Sequence, residues 1–311
     1  MSLFDARELK NLTRYVRGYL GGLRSLCLDL DGEEFKYLEA GSGETVVFLH
    51  GSMGSKTQWR SLMQAYSGDY HVVALDIPGL YMHQNFSGRP HTLRQLTAWL
   101  EQVLDRLRLP RVHLVCHSLG AAVGAYFAAT RPGRVNSLLL MSFPDIFARQ
   151  GEPMRQLVSA INLMLETNDV DALAGYYRSA FADPPAVPRI VLRYTLREAQ
   201  KKREPALQAM CEFAASSPLL MAQLPQIEVP VLVVDGECDH ISPLYPESFY
   251  RRNLPQCEYH LLPQCGHMVH LERAEELMGL HRGFLLRLDR RREHSAEPRN
   301  AALALSEDWR N

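Results

Sequence analysis

Hydrophobic and polar positions follow two different rhythms along this chain. Short apolar runs without alternation fall at 45–49, 112–116, 137–141 and 229–234, and stretches of helical period separate them. A strand that is apolar on both sides is buried on both sides, so the pattern predicts a parallel sheet covered by helices on each face. The predicted strands are 45–50, 71–76, 112–116, 135–141, 229–235 and 259–262. Two earlier strands flank Asp31-Gly32, a hairpin turn signal. Residues 92–108 place Leu93, Leu96, Leu100, Val103, Leu104 and Leu107 on one helical stripe, and 119–130 form a helix of small residues. A last helix is expected over 274–288. The strand rhythm stops between 142 and 226. That stretch reads as three helices, 155–166, 170–181 and 189–215, with Asp183-Pro184-Pro185 between the second and third. It is therefore expected to be a cap inserted over one end of the sheet. The resulting division is an amphipathic helix at 1–22, a core built from 23–141 and 227–289, the cap at 142–226, and a tail at 290–311. The tail starts with three arginines, has no apolar stripe, and is expected to be a loose appendage.

Composition narrows the class. Hydrophobic residues make up 46% of the 311 and charged residues 22%, so a disordered or collagen-like chain is excluded. The net charge of −1 supplies no global field for nucleic acid, and no nucleic-acid partner is expected. No apolar run approaches the roughly 18 to 20 residues of a membrane span. The start of the chain lacks the layout of a secretion signal. The six cysteines form no C-x-x-C pair, which favours a reduced, cytoplasmic protein over a disulfide framework. Residues 1–20 carry Leu9, Leu12, Val16, Tyr19 and Leu20 on one face and Arg7, Lys10, Arg14 and Arg17 on the other. Such a helix can dock on its own domain, the favoured reading, or make peripheral contact with an anionic membrane.

The strongest chemical signal is Cys116-His117-Ser118-Leu119-Gly120. A buried strand ends, a serine follows at once, and a small-residue helix begins, which is the setting of a nucleophile elbow. The competing reading is a serine that merely caps the helix. Gly120 satisfies the need for a small residue two positions on; Cys116 stands where glycine is usual two positions before. A serine nucleophile needs a base and an orienting acid. His267, behind Gly266 and past the last strand, is the candidate base. Asp239 is the candidate acid, with Glu237 and Asp235 as competitors in the same loop and Asp145 as fallback. Asp235, nearest its strand, is expected to be structural. The loop from His50 to Ser55 suits one half of an oxyanion hole through the Ser52 amide, with Met53 next; the Leu119 amide suits the other half. His50, Gly51, Met53 and His117 are expected to contact substrate.

At this point the chain resembles the α/β-hydrolase superfamily. The resemblance spans about residues 26 to 288 and rests on His50-Gly51, Asp76-Ile77-Pro78-Gly79, the serine pentapeptide, Gly236-Glu237-Cys238-Asp239 with Pro243, and Gly266-His267. It implies a mostly parallel eight-stranded sheet with flanking helices and a helical cap, a Ser118–Asp239–His267 triad, and no metal or cofactor. The likeness is greatest to capped esterases and monoacylglycerol lipases. It implies hydrolysis of a small-molecule carboxylic ester, with medium-chain acyl esters or monoacylglycerols favoured. The apolar cap residues Leu157, Ile161, Leu163, Met164, Leu165, Tyr176 and Tyr177 are expected mostly to pack the cap itself. Two alternatives stand. One is a carbon–carbon bond hydrolase with the same triad, for which Arg89, Arg189 or Arg193 would hold a substrate carboxylate. The other is a binding or scaffold protein without catalysis. After Gly79, Leu80-Tyr81 depart from the superfamily's usual glycine-bearing loop.

Overall fold

The computed structural model describes residues 22–30, 32–78, 92–143, 152–201, 203–242 and 244–307. The amphipathic segment 1–20, Asp31, Leu80-Tyr81, Arg89, Asp145 and Pro243 lie outside them, as does the side chain of Leu157.

Eight strands form one sheet: β1 (Arg24–Leu30), β2 (Glu33–Ala40), β3 (Thr45–Leu49), β4 (His71–Leu75), β5 (Val112–His117), β6 (Val135–Met141), β7 (Val231–Gly236) and β8 (Cys257–Leu262). Their order is β1-β2-β4-β3-β5-β6-β7-β8. The β1–β2 and β2–β4 pairs are antiparallel; all later pairs are parallel. Strands β3, β5 and β7 are buried along their whole length, as their unbroken apolar runs require. Gly32, in the left-handed region at φ 86°, turns β1 into β2.

Helices α1 (Arg60–Tyr66), α2 (Leu93–Arg106) and α3 (Leu119–Thr130) follow β3, precede β5 and follow β5. Thr92 and Gln95 close a reciprocal capping box on α2. The cap holds α4 (Glu152–Thr167), α5 (Val170–Ser179), α6 (Arg189–Gln200), α7 (Arg203–Ala215) and α8 (Ser217–Gln223). A short α9 (Glu247–Asn253) leads to β8, and α10 (Val269–Glu272) and α11 (Ala274–Glu307) complete the order. One face of the sheet packs on α2, α3 and α9, and its core continues into the cap through Ile161, Met164, Leu165, Leu173, Leu192 and Leu196. The other face packs on α1 and α11 through Trp59, Met63, Tyr66, Leu277 and Phe284. The cap's apolar residues thus divide: Ile161, Met164 and Leu165 are interior, whereas Leu163 is 61% exposed. Tyr176 and Tyr177 are half-buried.

The structure differs from the sequence reading in three respects. The expected single helix over 189–215 is two helices, because Pro205 is tolerated only in the first turn of a new one. Helices α1, α8, α9 and α10 were not anticipated; α8 and α9 each begin at a proline, Pro218 in its first turn and Pro246 at its N-cap. Through 290–307 the tail is helical, a continuation of α11 to Glu307.

Candidate active site

The candidate residues gather at the C-terminal edge of the parallel strands. Ser118 sits between β5 and α3 at φ 52°, ψ −125°, a region that costs a non-glycine residue energy. Its amide is anchored by donating to the Met141 carbonyl at 2.9 Å. Its side chain makes no capping bond to α3, so the helix-cap alternative does not describe this serine. Three other non-glycine residues with positive φ lie in the neighbouring loops: Met53 after β3, Ser142 after β6 and Gln264 after β8. Backbone strain is concentrated where the candidate chemistry is.

Close packing explains the small residues. A Cβ on Gly120 would lie 2.4 Å from the His50 carbonyl oxygen, and one on Gly51 would lie 2.7 Å from the Ser118 Cβ. The elbow and the loop after β3 therefore approach each other only because both positions are glycine. Cys116, the departure at the first elbow position, has its own compensation. A Cβ on Gly124, two turns along α3, would lie 2.4 Å from the Cys116 sulfur. The volume absent at 124 is the volume present at 116. We expect Gly124→Ala to cost about 1 to 3 kcal/mol of stability. Cys116→Gly in the same chain should recover at least half of that. Chemical denaturation of both singles and the double checks the coupling; strictly additive losses would refute it.

Asp239 and His267 are joined directly. His267 Nδ1 donates to Asp239 Oδ2 at 2.8 Å, and Asp239 Oδ1 accepts the amides of Ile241 and Ser242, each at 2.8 Å. The carboxylate is an acceptor at both oxygens, so a proton sits on Nδ1 and, in the neutral imidazole, Nε2 keeps its lone pair. The competitors separate cleanly. Glu237 is exposed, and Asp235 is buried and accepts the Tyr250 hydroxyl at 2.8 Å. Burial raises the Asp235 carboxyl to about 7, the environment of a structural acid.

The backbone of His267 is fixed to the elbow. Its carbonyl accepts from His117 Nε2 at 2.9 Å and from the Ser142 hydroxyl at 2.8 Å. His117 is thus not a substrate contact. It is buried, its ring stands 4.8 Å from that of His267 and 4.6 Å from that of His270, and His270 lies 4.5 Å from Trp59. Burial first, and the neighbouring histidines second, hold His117 well below the usual imidazole range; burial lowers His270 to about 3. The rings are therefore neutral packing groups beneath the site. His50 needs the same correction. It has no exposed surface, accepts the Ile77 amide on Nε2 at 2.9 Å, and donates from Nδ1 to the Gly51 carbonyl at 2.7 Å. Both nitrogens are spent on fixing the loop, and none is left for a substrate. Gly51 itself is buried and acts by admitting Ser118.

That loop turns tightly. Gly54 donates to the Gly51 carbonyl at 3.2 Å, a bond that uses neither the Ser52 nor the Met53 amide. Both residues are half-buried at the tip of the turn. The Leu119 amide, at the first position of α3, has no acceptor within its helix. Beneath the loop, Lys56 pairs with the buried Asp76 through its ammonium and its amide.

Sequence reasoning missed Glu272. One of its carboxylate oxygens accepts the Gly266 amide at 2.9 Å and the other the Ala182 amide at 2.7 Å. It ties the histidine loop to the cap. A Cβ on Gly266 would lie 2.8 Å from Phe181 backbone, so the two segments are in direct contact. The signal was present as an acid five positions after His267.

The arrangement matches known proteins. Residues 46–280 match the model of the alpha/beta hydrolase family, and the chain belongs to that family. It is 29% identical over 80% of its length to a dihydrolipoyllysine-residue acetyltransferase component of an acetoin cleaving system from Pseudomonas putida, and spans 66% of that relative. It is 28% identical to 2-hydroxy-6-oxononadienedioate/2-hydroxy-6-oxononatrienedioate hydrolase 2 from Pseudomonas putida, covering 81% of this chain and 91% of that one. It is 27% identical to pimeloyl-[acyl-carrier protein] methyl ester esterase from Nitrosomonas europaea, covering 76% and 94%.

Proposed function

We propose that this hydrolase cleaves carboxylic esters through an acyl-enzyme on Ser118. His267 Nε2 takes the Ser118 proton as the hydroxyl oxygen attacks the ester carbonyl. Asp239 holds the imidazole in the required tautomer and stabilises the imidazolium. The amides of Ser52 and Leu119 receive the oxyanion, each such donor being worth roughly 10² to 10³ in rate. His267 returns the proton to the leaving alcohol, then activates a water that releases the acid. The observation that carries this reading is the Asp239–His267 bond, with Asp239 Oδ1 held by two amides, together with a strained serine at the elbow that is not spent on capping.

Medium-chain acyl esters or monoacylglycerols are the proposed substrates. A cavity of about 290 Å³ in the cap, lined by Tyr177, Phe181, Val187 and Leu192 and by a single charged residue, Arg178, supports acyl over polar groups by its mostly apolar wall. The name of the Pseudomonas hydrolase favours carbon–carbon cleavage by the same three residues as the second reading. Of the arginines expected to hold a carboxylate, Arg189 and Arg193 are exposed and Arg189 is paired with Asp171, which counts against it; Arg178 in the cavity wall counts for it. A p-nitrophenyl ester series from acetyl to dodecanoyl is expected to peak at medium chains. A maximum at acetyl with nothing beyond butyryl would reject the lipid substrate. Turnover of vinylogous diketones with none on any ester would transfer the assignment to the second reading.

A further inference from the structure

Helix α6 (Arg189–Gln200) is apolar on two opposite sides. Leu192, Leu196 and Ala199 are buried in the core. Ile190 and Tyr194, one turn apart and opposite that face, are 77% and 61% exposed, and Val191 beside them is 47% exposed. An ordinary surface helix is polar on its outer side. Four of the eight large exposed apolar side chains among the described residues lie in the cap, and three of those four are these. Arginines flank them. Arg189, Arg193 and Arg197 are all exposed; Arg189 pairs with Asp171, while Arg193 and Arg197 hold no ion pair among the described residues. The one acid of the helix, Glu198, is engaged by Lys201.

From this we infer that the outer face of α6 docks on an anionic lipid surface. The chemistry selects that occupant. An apolar crest enters the boundary between headgroups and acyl chains, while guanidinium groups alongside it meet lipid phosphates bidentately. Two cations that hold no ion pair among the described residues, though Arg193 lies in the field of Asp171, fit acidic headgroups beside an apolar crest better than they fit an identical copy of the same cationic face. The inference is separate from the ester-hydrolase reading, because its readout is binding.

The full chain is to be sedimented with vesicles of phosphatidylcholine, alone or mixed with phosphatidylglycerol. It should bind the mixed vesicles more tightly, and added salt should weaken binding. Ile190→Ser with Tyr194→Ser should weaken binding at least tenfold while melting temperature and any turnover of a soluble short-chain ester stay unchanged. Arg193→Gln and Arg197→Gln should each cost about fivefold on mixed vesicles and little on phosphatidylcholine. Absence of binding, or binding that both sets of variants leave intact, would overturn the inference. So would concentration-dependent dimers in solution that the Ile190/Tyr194 variant abolishes, since the crest would then cover a second copy.

Discussion

Ser118→Ala is expected to lower ester turnover by about 10⁴-fold or more and to leave the melting temperature within a few degrees of the parent. The loss is large because no other hydroxyl occupies the elbow, and without it His267 has no nucleophile to activate. The fold should tolerate the change for a specific reason. The backbone at φ 52° is unfavourable for serine and alanine alike, so the strain cancels in the comparison. The amide bond to Met141 is untouched, and no helix cap is lost. Steady-state turnover of the best ester in the chain series, with thermal melts, checks both halves. Labelling by a fluorophosphonate probe should vanish in the same variant. Turnover within tenfold of the parent, or persistent labelling, would end the acyl-enzyme scheme.

Asp239→Asn should be nearly as damaging, with kcat reduced roughly 10⁴-fold. The geometry dictates how the amide would sit. Asp239 Oδ1 accepts two backbone N–H groups, so the amide oxygen must take that place. The amide nitrogen then falls where Oδ2 now accepts from His267 Nδ1. Two donors cannot face each other, and the imidazole would move its proton to Nε2, the atom that has to be vacant to take the serine proton. The variant is thus predicted to keep its structure and lose its base. A kcat within tenfold of the parent, in protein that melts normally, would mean that Asp239 does not orient His267 during turnover.

Much of this was readable in the chain because parallel strands announce themselves as apolar runs, and in such sheets the site lies just past their C-terminal ends. Ser118, Asp239 and His267 each follow a predicted strand, in an order that can be read without coordinates. What escaped depended on contacts between distant residues. Whether His50 and His117 faced a substrate or the interior could not be told from a loop sequence; only the partners at Ile77, Gly51 and His267 decide it. The tolerance of Cys116 was equally hidden, since its counterpart is the hole left by Gly124. Helix boundaries at Pro205, Pro218 and Pro246 were legible in principle, as proline is at home in a first turn but not in a helix interior.

Glu272 gives the molecule a mechanical property. One carboxylate, with an oxygen on each of two segments, acts as a shackle between the lid and the loop that carries the imidazole. A lid pulled away at Ala182 must either break that link or drag the loop with it. Only in the second case would opening the lid carry the imidazole away from its place at the elbow.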